Sequence, residues 1–212
     1  MCYNISINKS KTKLEQYYNA RVDEKFEAKS FITAFAKPKV AVITNKNPEK
    51  IQLFQWGLIP HWVKSKSQAD DISKMTFNAR FETVQQKPSF RDAYKSNRCI
   101  VIVDSFYEWK TELKSKIPHR IFLKNQSVFA LAGIFNEWVH TETGELINTV
   151  SIITHEANAF MSEIHNVKKR QPFILHHYNR WFDTNSNDNL IDESMQTQFE
   201  SVELARDFRK SI

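Results

Sequence analysis

The residue with the most distinctive chemistry in this sequence is Cys2, which directly follows Met1. Removal of Met1 would leave a free α-amine and a thiol on the same residue. Such a 1,2-aminothiol condenses with an aldehyde to an imine, and the thiol then closes a five-membered thiazolidine ring. The reference pKa values, about 7.7–8.0 for the amine and about 8.5 for the thiol, lie near neutrality, so modest help from neighbouring groups would activate either one.

Other side chains could assist this chemistry, but each one also has an ordinary structural explanation. Asn78 could cap a helix, and Arg80 could form a surface ion pair. Glu108 is a carboxylate among three large aromatic residues at a strand end, and His165 lies at the predicted end of a helix. Taken singly, these residues therefore do not define a site.

Composition predicts one compact domain, and its basic charge fits a polyanionic partner without establishing one. The chain has 212 residues, of which 41% are hydrophobic and 25% are charged, enough for a substantial single core. Its formal net charge is +6, with a sequence pI near 9.2. Because neither a signal peptide nor an apolar run of about 18 residues is visible, we expect a cytoplasmic, nucleoid-associated protein without a membrane partner.

The sequence offers little for a cofactor or metal. Its three glycines lie far apart, which argues against a phosphate-binding loop or a dinucleotide fingerprint. The two cysteines, Cys2 and Cys99, make neither a disulfide framework nor a zinc knuckle. His155-Glu156 is only half of a zinc-protease motif, and His176-His177 are adjacent rather than four apart. We therefore expect no cofactor and no metal.

Several short strands and a few short helices are predicted, without regular β-α-β alternation. This pattern indicates an α+β fold with a mixed, mostly antiparallel, barrel-like sheet and short flanking helices. Residues 40–44 and 51–56 are expected to pair antiparallel, and 99–103 is a buried strand that would make Cys99 an inert core thiol. Further strands are predicted at 106–109, 117–123, 128–134 and 146–154, with a turn at Thr143-Gly144.

The remaining segments are predicted to be helices and loops. Residues 9–30 are read as a helix or a partly mobile excursion, and 89–97 and 157–164 as short helices. Residues 57–62 form a turn-rich loop, 64–74 a surface loop, and 78–83 the start of a stretch that could continue as helix. We predict one domain over 1–212 with a helical tail over 185–212, capped at 187–189.

Taken in order, the motifs of this chain resemble the SRAP family of abasic-site processing proteins, formerly catalogued as SOS-response-associated peptidases. The resemblance covers about residues 2–175. It is carried by Cys2, Trp56-Gly57-Leu58-Ile59-Pro60-His61-Trp62, Asn78-Ala79-Arg80-Phe81-Glu82-Thr83, Arg98-Cys99-Ile100-Val101, Phe106-Tyr107-Glu108-Trp109, Ala132-Gly133-Ile134, Thr154-His155-Glu156-Ala157-Asn158, His165 and Arg170-Gln171-Pro172.

The resemblance implies a covalent trap for abasic sites in single-stranded DNA. An abasic site exists partly as a ring-opened aldehyde, which the aminothiol of Cys2 would capture. Glu108 would relay protons at the α-amine, and His165 would donate a proton to the sugar oxygen and assist reversal. Asn78 would hold the amine and the linked sugar by hydrogen bonds.

The resemblance also implies a set of DNA contacts. Arg80 and Arg170 would bind phosphates, and Thr154 would lie in the same DNA-binding surface. Trp56, Pro60 and Trp62 would form a wall on which flanking bases stack, at about 1–3 kcal/mol per base. For Trp56, core packing is an equal interpretation.

This chain departs from the family pattern in two places. The family usually begins Cys-Gly-Arg, whereas Tyr3 and Asn4 follow Cys2 here, so no arginine at position 4 can bind a phosphate. The segment from His165 to Pro172 is two residues longer than the usual His-x-Arg-Met-Pro and has glutamine in place of methionine.

Two other functions compete with the covalent trap. A cysteine peptidase with autoproteolytic activity would use Cys2 with His165 and a carboxylate, although only Met1 precedes Cys2. A non-catalytic module that binds single-stranded DNA would explain the charge and the tryptophans. That function would leave Cys2, Glu108 and His165 without a joint purpose. Nothing in the sequence demands more than a monomer.

Overall fold

The fold is α+β, as predicted, and its core is a barrel of mostly antiparallel strands. The structure is a computed structural model that describes residues 2–184 and 189–211. The strands of this part are β1 (Asn4–Ile7), β2 (Arg21–Val22), β3 (Lys29–Thr33), β4 (Lys39–Thr44), β5 (Asn47–Trp56), β6 (Asn78–Arg80), β7 (Arg98–Val103), β8 (Ser105–Glu112), β9 (Ser115–Leu123), β10 (Phe129–Val139), β11 (Leu146–Glu156), β12 (Arg170–Pro172), β13 (Ile174–Leu175) and β14 (Phe199–Glu203).

The barrel is closed by strands β5, β4, β7, β10 and β11. Successive members pair antiparallel, and β11 then pairs with β5 in parallel through Thr149↔Gln55 and Val150↔Trp56. The apolar run of β7 is buried along its whole length, because both of its neighbours belong to the barrel. Cys99 is fully buried in this strand, as predicted for a core thiol.

A second sheet of five strands, in the order β14-β9-β8-β1-β3, carries the beginning of the described chain. Its central pair is β1 and β8, which run antiparallel with Ile5 opposite Phe106. Continued by two residues, this register brings the start of β1 alongside Glu108. The sheet thus places Cys2 and Glu108 close together although they are far apart in sequence.

Short helices connect and cover the two sheets. They are α1 (Lys11–Tyr18), α2 (Lys66–Met75), α3 (Arg91–Ser96), α4 (Ala159–Ile164), α5 (Tyr178–Phe182) and α6 (Leu190–Met195). The side chains of Ser10, Ser65 and Asn158 cap α1, α2 and α4 by accepting backbone N–H bonds. Helices α3 and α4 lie where the sequence predicts them.

Two local predictions are wrong. Residues 64–74 are mostly helix α2 rather than a loop. The helix was missed because its sequence is polar and it buries only the small side chains of Ala69 and Ser73. Asn78–Arg80 is strand β6 rather than the start of a helix, because it pairs in parallel with β11, a partner that lies about 74 residues away in sequence.

The predicted helical tail is only partly helical. Helix α6 is followed by strand β14, which pairs with β9 from Phe199↔Leu123 to Glu203↔His119. A 3-10 turn, Phe208–Ser211, then ends the described part of the chain. Most of the predicted cap at 187–189 lies outside the described residues, and Asn189, which is described, makes no capping hydrogen bond with its side chain.

The end of β5 depends on a glycine. Gly57 has a φ of +114°, and its N–H donates to the carbonyl of Val150 at 2.9 Å. A Cβ at this position would lie 2.6 Å from the carbonyl oxygen of Ser73. Gly144 also has positive φ, +70°, but a Cβ there would meet no atom within 4 Å.

Gly57→Ala should therefore destabilise the protein by about 3 kcal/mol, since it combines backbone strain with a clash against main-chain atoms. Gly144→Ala, which adds strain without a clash, should cost only about 1 kcal/mol. Urea unfolding monitored by circular dichroism measures both. Equal losses of stability in the two variants would show that close packing at Gly57 is unimportant.

Candidate active site

Cys2 is fully buried at the start of β1. Its Sγ lies 3.8 Å from the carbonyl oxygen of Asn4, and the carbonyl of Tyr3 accepts a 2.8 Å hydrogen bond from the Ala34 N–H. Burial raises the pKa of the Cys2 thiol well above its ordinary value, and the nearby Glu108 carboxylate raises it further. The thiol is therefore protonated at neutral pH and is not a preformed nucleophile.

Glu108 and His165 form the centre of the site. Glu108 belongs to β8 in the five-stranded sheet, and His165 directly follows helix α4, which leads from β11 toward β12 of the barrel. Their side chains meet with Nε2 of His165 3.8 Å from Oε2 of Glu108, and both residues are buried. The two sheets thus each supply one group of a proton-handling pair.

The imidazole of His165 has a defined orientation. Its Nδ1 lies 2.7 Å from the backbone carbonyl of Arg170, so Nδ1 carries the proton and Nε2 presents a lone pair toward Glu108. Burial lowers the pKa of His165 to about 4, and the positive charge of Lys168 contributes in the same direction. The ring is therefore neutral at pH 7.

Glu108 is poised between its two protonation states. Burial raises the pKa of this carboxyl to about 7, and nearby positive charge, including that of Lys168, partly opposes the shift. Both protonation states are therefore accessible near pH 7, which suits a group that gives and takes protons in one reaction cycle.

Asn78 and Arg80 lie on β6, beside the start of β1. The ring of Phe77, one residue before Asn78, packs 6.3 Å from the ring of Tyr3. The amide nitrogen and oxygen of Asn78 are buried, and neither has a hydrogen-bond partner among the described residues. Arg80 is exposed, and its backbone pairs with Thr154 of β11.

Arg170 and Thr154 make internal contacts in place of the DNA contacts predicted for them. The guanidinium of Arg170 forms a bidentate ion pair with Glu82, at 2.8 and 3.0 Å, and also donates to the Thr154 carbonyl at 2.7 Å. Thr154 is fully buried. This network fixes the segment whose carbonyl orients His165, so Arg170 positions the imidazole through its backbone.

The predicted stacking wall is wrong for two of its three members. Trp56 is fully buried, and its indole N–H donates to the Phe77 carbonyl, so its packing in the barrel core leaves no face for a base. Pro60 is also buried. Trp62 alone of the three is open to solvent, with 45% of its surface exposed.

A pocket of about 560 Å³ opens in front of Glu108 and His165. Its lining includes Phe35, which is 68% exposed and packs against the rings of Tyr3 and Phe77. Apart from Glu108 and His165, none of these lining residues was predicted to belong to the site, because most of them come from segments that are distant in sequence and lie outside the motifs. The full lining is Tyr3, Asn4, Thr33, Phe35, Glu108, Trp109, Thr111, Lys116, His165, Val167, Lys168 and Arg209.

Comparison with known families agrees with this architecture. The family model described as SOS response associated peptidase (SRAP) matches residues 1–207, nearly the whole chain. The chain belongs to the SRAP family. The resemblance drawn from the motifs is thereby confirmed, and it extends through β14.

Curated relatives of this SRAP protein have informative names. Abasic site processing protein YoaM of Bacillus subtilis (strain 168) is 42% identical over 149 residues, which are 70% of this chain and 62% of YoaM. Abasic site processing protein HMCES of Gallus gallus is 34% identical over 143 residues, 57% of this chain and 40% of HMCES. The chain thus spans less than two thirds of the length of these relatives.

Solved structures share the fold. A crystal structure of a protein from Bacteroides thetaiotaomicron has a TM-score of 0.90 and 32% identity, and the match covers 99% of this chain and 94% of the other. A protein from Bordetella bronchiseptica has a TM-score of 0.81 at 21% identity, covering 96% and 100%, which supports the fold alone.

No group of three or more His, Cys, Asp or Glu side chains that could hold a metal ion occurs among the described residues. Within 2–184 and 189–211, no helix has the length and apolar character needed to cross a membrane.

His155, from the motif at 154–158, has a structural role. It is buried in β11, and its Nε2 lies 2.7 Å from Ser194 Oγ. Because Ser194 Oγ accepts the Ile174 N–H, its own proton is available to a neutral His155. Burial lowers the pKa of His155 to about 4.

Acid should therefore destabilise the protein between pH 6.5 and 4. The pKa of His155 is about 4 in the folded protein and near 6.5 in the unfolded chain. Its contribution to the free energy of unfolding is therefore complete above pH 6.5 and is lost as the pH falls through 4. His155→Gln should reduce this loss by about 3 kcal/mol, while the same change at exposed His61 should not. Urea unfolding at a series of pH values measures the free energy of unfolding for each protein. Parallel pH profiles of stability for wild type and His155→Gln would contradict the prediction.

Proposed function

We propose that this SRAP protein captures abasic sites in single-stranded DNA by forming a thiazolidine between Cys2 and the ring-opened aldehyde. The observation that carries this proposal is the buried Glu108–His165 pair beside Cys2. The pair is suited to moving protons, whereas burial and the Glu108 carboxylate raise the pKa of the thiol and so disfavour direct attack by a thiolate. The names of the relatives supply the identity of the aldehyde.

The raised thiol pKa fixes the order of steps. After Met1 is removed, the neutral α-amine of Cys2 attacks C1′ of the aldehyde and forms a carbinolamine. Loss of one water molecule gives the imine. The thiol sulfur then bonds to the imine carbon while its proton passes to the nitrogen, which closes the ring. The net reaction joins aldehyde and aminothiol and releases one water.

Glu108 and His165 would move the protons in this sequence. The carboxylate form of Glu108 accepts the proton that the amine loses on attack, and the acid form returns it to the departing hydroxyl. The neutral Nε2 of His165 can receive a proton from Glu108 and deliver it to the sugar oxygen as the ring opens. Asn78, whose buried amide has no hydrogen-bond partner within residues 2–184 and 189–211, would hold the linked sugar.

DNA would enter along the pocket and its exposed neighbours. Phe35 and Trp62 present the exposed rings on which bases could stack, the role that we had expected of Trp56. Arg80 is exposed and would bind a phosphate beside the lesion.

The peptidase alternative is less well supported. A cysteine peptidase needs a thiolate, yet burial and Glu108 both raise the pKa of the Cys2 thiol. In addition, Nε2 of His165 faces Glu108, whereas the contact of the Cys2 sulfur is with the Asn4 carbonyl. A purely non-covalent DNA-binding module would leave this buried pair unused.

The direct test is covalent capture. Purified protein without Met1, verified by mass, is incubated with a single-stranded oligonucleotide that contains one abasic site, and adducts are counted on denaturing gels. Wild type should crosslink, and Cys2→Ala should lose the adduct. A variant with one extra residue before Cys2 should also fail, because its amine and thiol are no longer on one residue.

Two results would overturn the proposal. Equal crosslinking by the wild type and both variants would exclude the aminothiol. Hydrolysis of a peptide substrate that depends on Cys2, with no DNA adduct, would favour the peptidase.

The pH dependence of capture should report Glu108. The rate should rise as pH increases through about 7, because only the carboxylate accepts the amine proton. Glu108→Gln should remove this inflection, leave the rise caused by the amine, and slow capture about 100-fold. Glu112→Gln, an exposed carboxylate on the same strand, is the matched control. An unchanged profile in Glu108→Gln would contradict the assigned role.

A further inference from the structure

The pocket in front of Glu108 and His165 is strongly positive. Three cationic side chains line it, Lys116, Lys168 and Arg209, against the single carboxyl of Glu108, which is only partly ionised at neutral pH. Lys168 belongs to the turn between α4 and β12. Arg209 comes from the 3-10 turn at Phe208–Ser211, just beyond the part of the chain that the family model matches.

Arg209 is held in position by aromatic rings. Its guanidinium carbon lies 5.2 Å from the centre of the Trp109 ring and 5.6 Å from that of Phe31, within the range of cation–π interaction. The neighbouring Phe208 anchors the turn, because its ring stacks on Tyr107 with centroids 5.6 Å apart and an interplanar angle of 17°.

The guanidinium of Arg209 also has its donors available. Arg170 is committed to Glu82, whereas no salt bridge joins Arg209 to a carboxylate in the described part of the chain. A planar guanidinium, fixed by rings and free of carboxylates, matches the bidentate geometry of a phosphate.

We propose that Arg209 binds a backbone phosphate of the DNA strand in this pocket, with Trp109 and Phe31 holding its guanidinium for the contact. The inference rests on the proposed function, since it takes DNA as the occupant of the pocket. It adds to that function a phosphate contact from a segment outside the recognised motifs.

The test measures binding apart from capture. Fluorescence anisotropy with an undamaged single-stranded oligonucleotide gives the affinity over a range of salt concentrations, for wild type, Arg209→Gln and Arg209→Lys. Both variants keep a long side chain over the rings, and circular dichroism checks that they fold. The matched control is Arg206→Gln, which removes the same charge from an exposed arginine that does not line the pocket.

Arg209→Gln should weaken binding and reduce the steepness of log K against log salt by about 0.7, the value for one phosphate contact on a single strand. Arg209→Lys should retain the wild-type slope, and Arg206→Gln should too. An unchanged slope in Arg209→Gln, or an equal loss in Arg206→Gln, would overturn the inference.

Capture of an abasic oligonucleotide separates this inference from the proposed function. If wild type forms no adduct but the slope still depends on Arg209, the phosphate contact stands and the covalent function fails. If wild type forms the adduct and its salt slope does not depend on Arg209, the covalent function stands and the phosphate contact fails.

Discussion

The exclusion of water around Glu108 and His165 is the constraint on which the rest of the site depends. Two ionised side chains buried here would each lose hydration, so burial favours the neutral form of both and moves their pKa values in opposite directions. The result is a weakly acidic carboxyl whose Oε2 lies 3.8 Å from Nε2 of a neutral imidazole. Near pH 7 the carboxyl of this pair can both give and take a proton.

The fold maintains this pair through contacts from both sheets. Strand β8 carries Glu108, and the carbonyl of Arg170 holds the imidazole of His165. Arg170 is in turn fixed by Glu82 and by Thr154 of the barrel strand β11. Arg170 and Thr154, which were predicted to bind DNA, thus make the internal contacts that hold the segment beside His165.

The structure agrees with the sequence where one local signal determines it, as in β7, whose β-branched run predicts a buried strand. The ordered motifs name Glu108 and His165 as candidates, and the structure brings their side chains within 3.8 Å of each other. Prediction failed where a residue or strand that is distant in sequence determines the local structure. Strand β6 exists because β11 pairs with it, and Trp56 is buried because the barrel closes around it. Arg209 has no local signal, since its position depends on the rings of Trp109 and Phe31.

The central claim is that the aminothiol of Cys2, rather than a lysine in the pocket such as Lys168, forms the bond to the aldehyde. Mass spectrometry of the nuclease- and protease-treated adduct tests this directly, with and without borohydride. We predict a stable adduct on the peptide that begins with Cys2, and we expect it without reduction. Its mass should be one water less than the summed masses of the peptide and the abasic-site fragment. An adduct mapped to Lys168, or one seen only after borohydride reduction, would contradict the account.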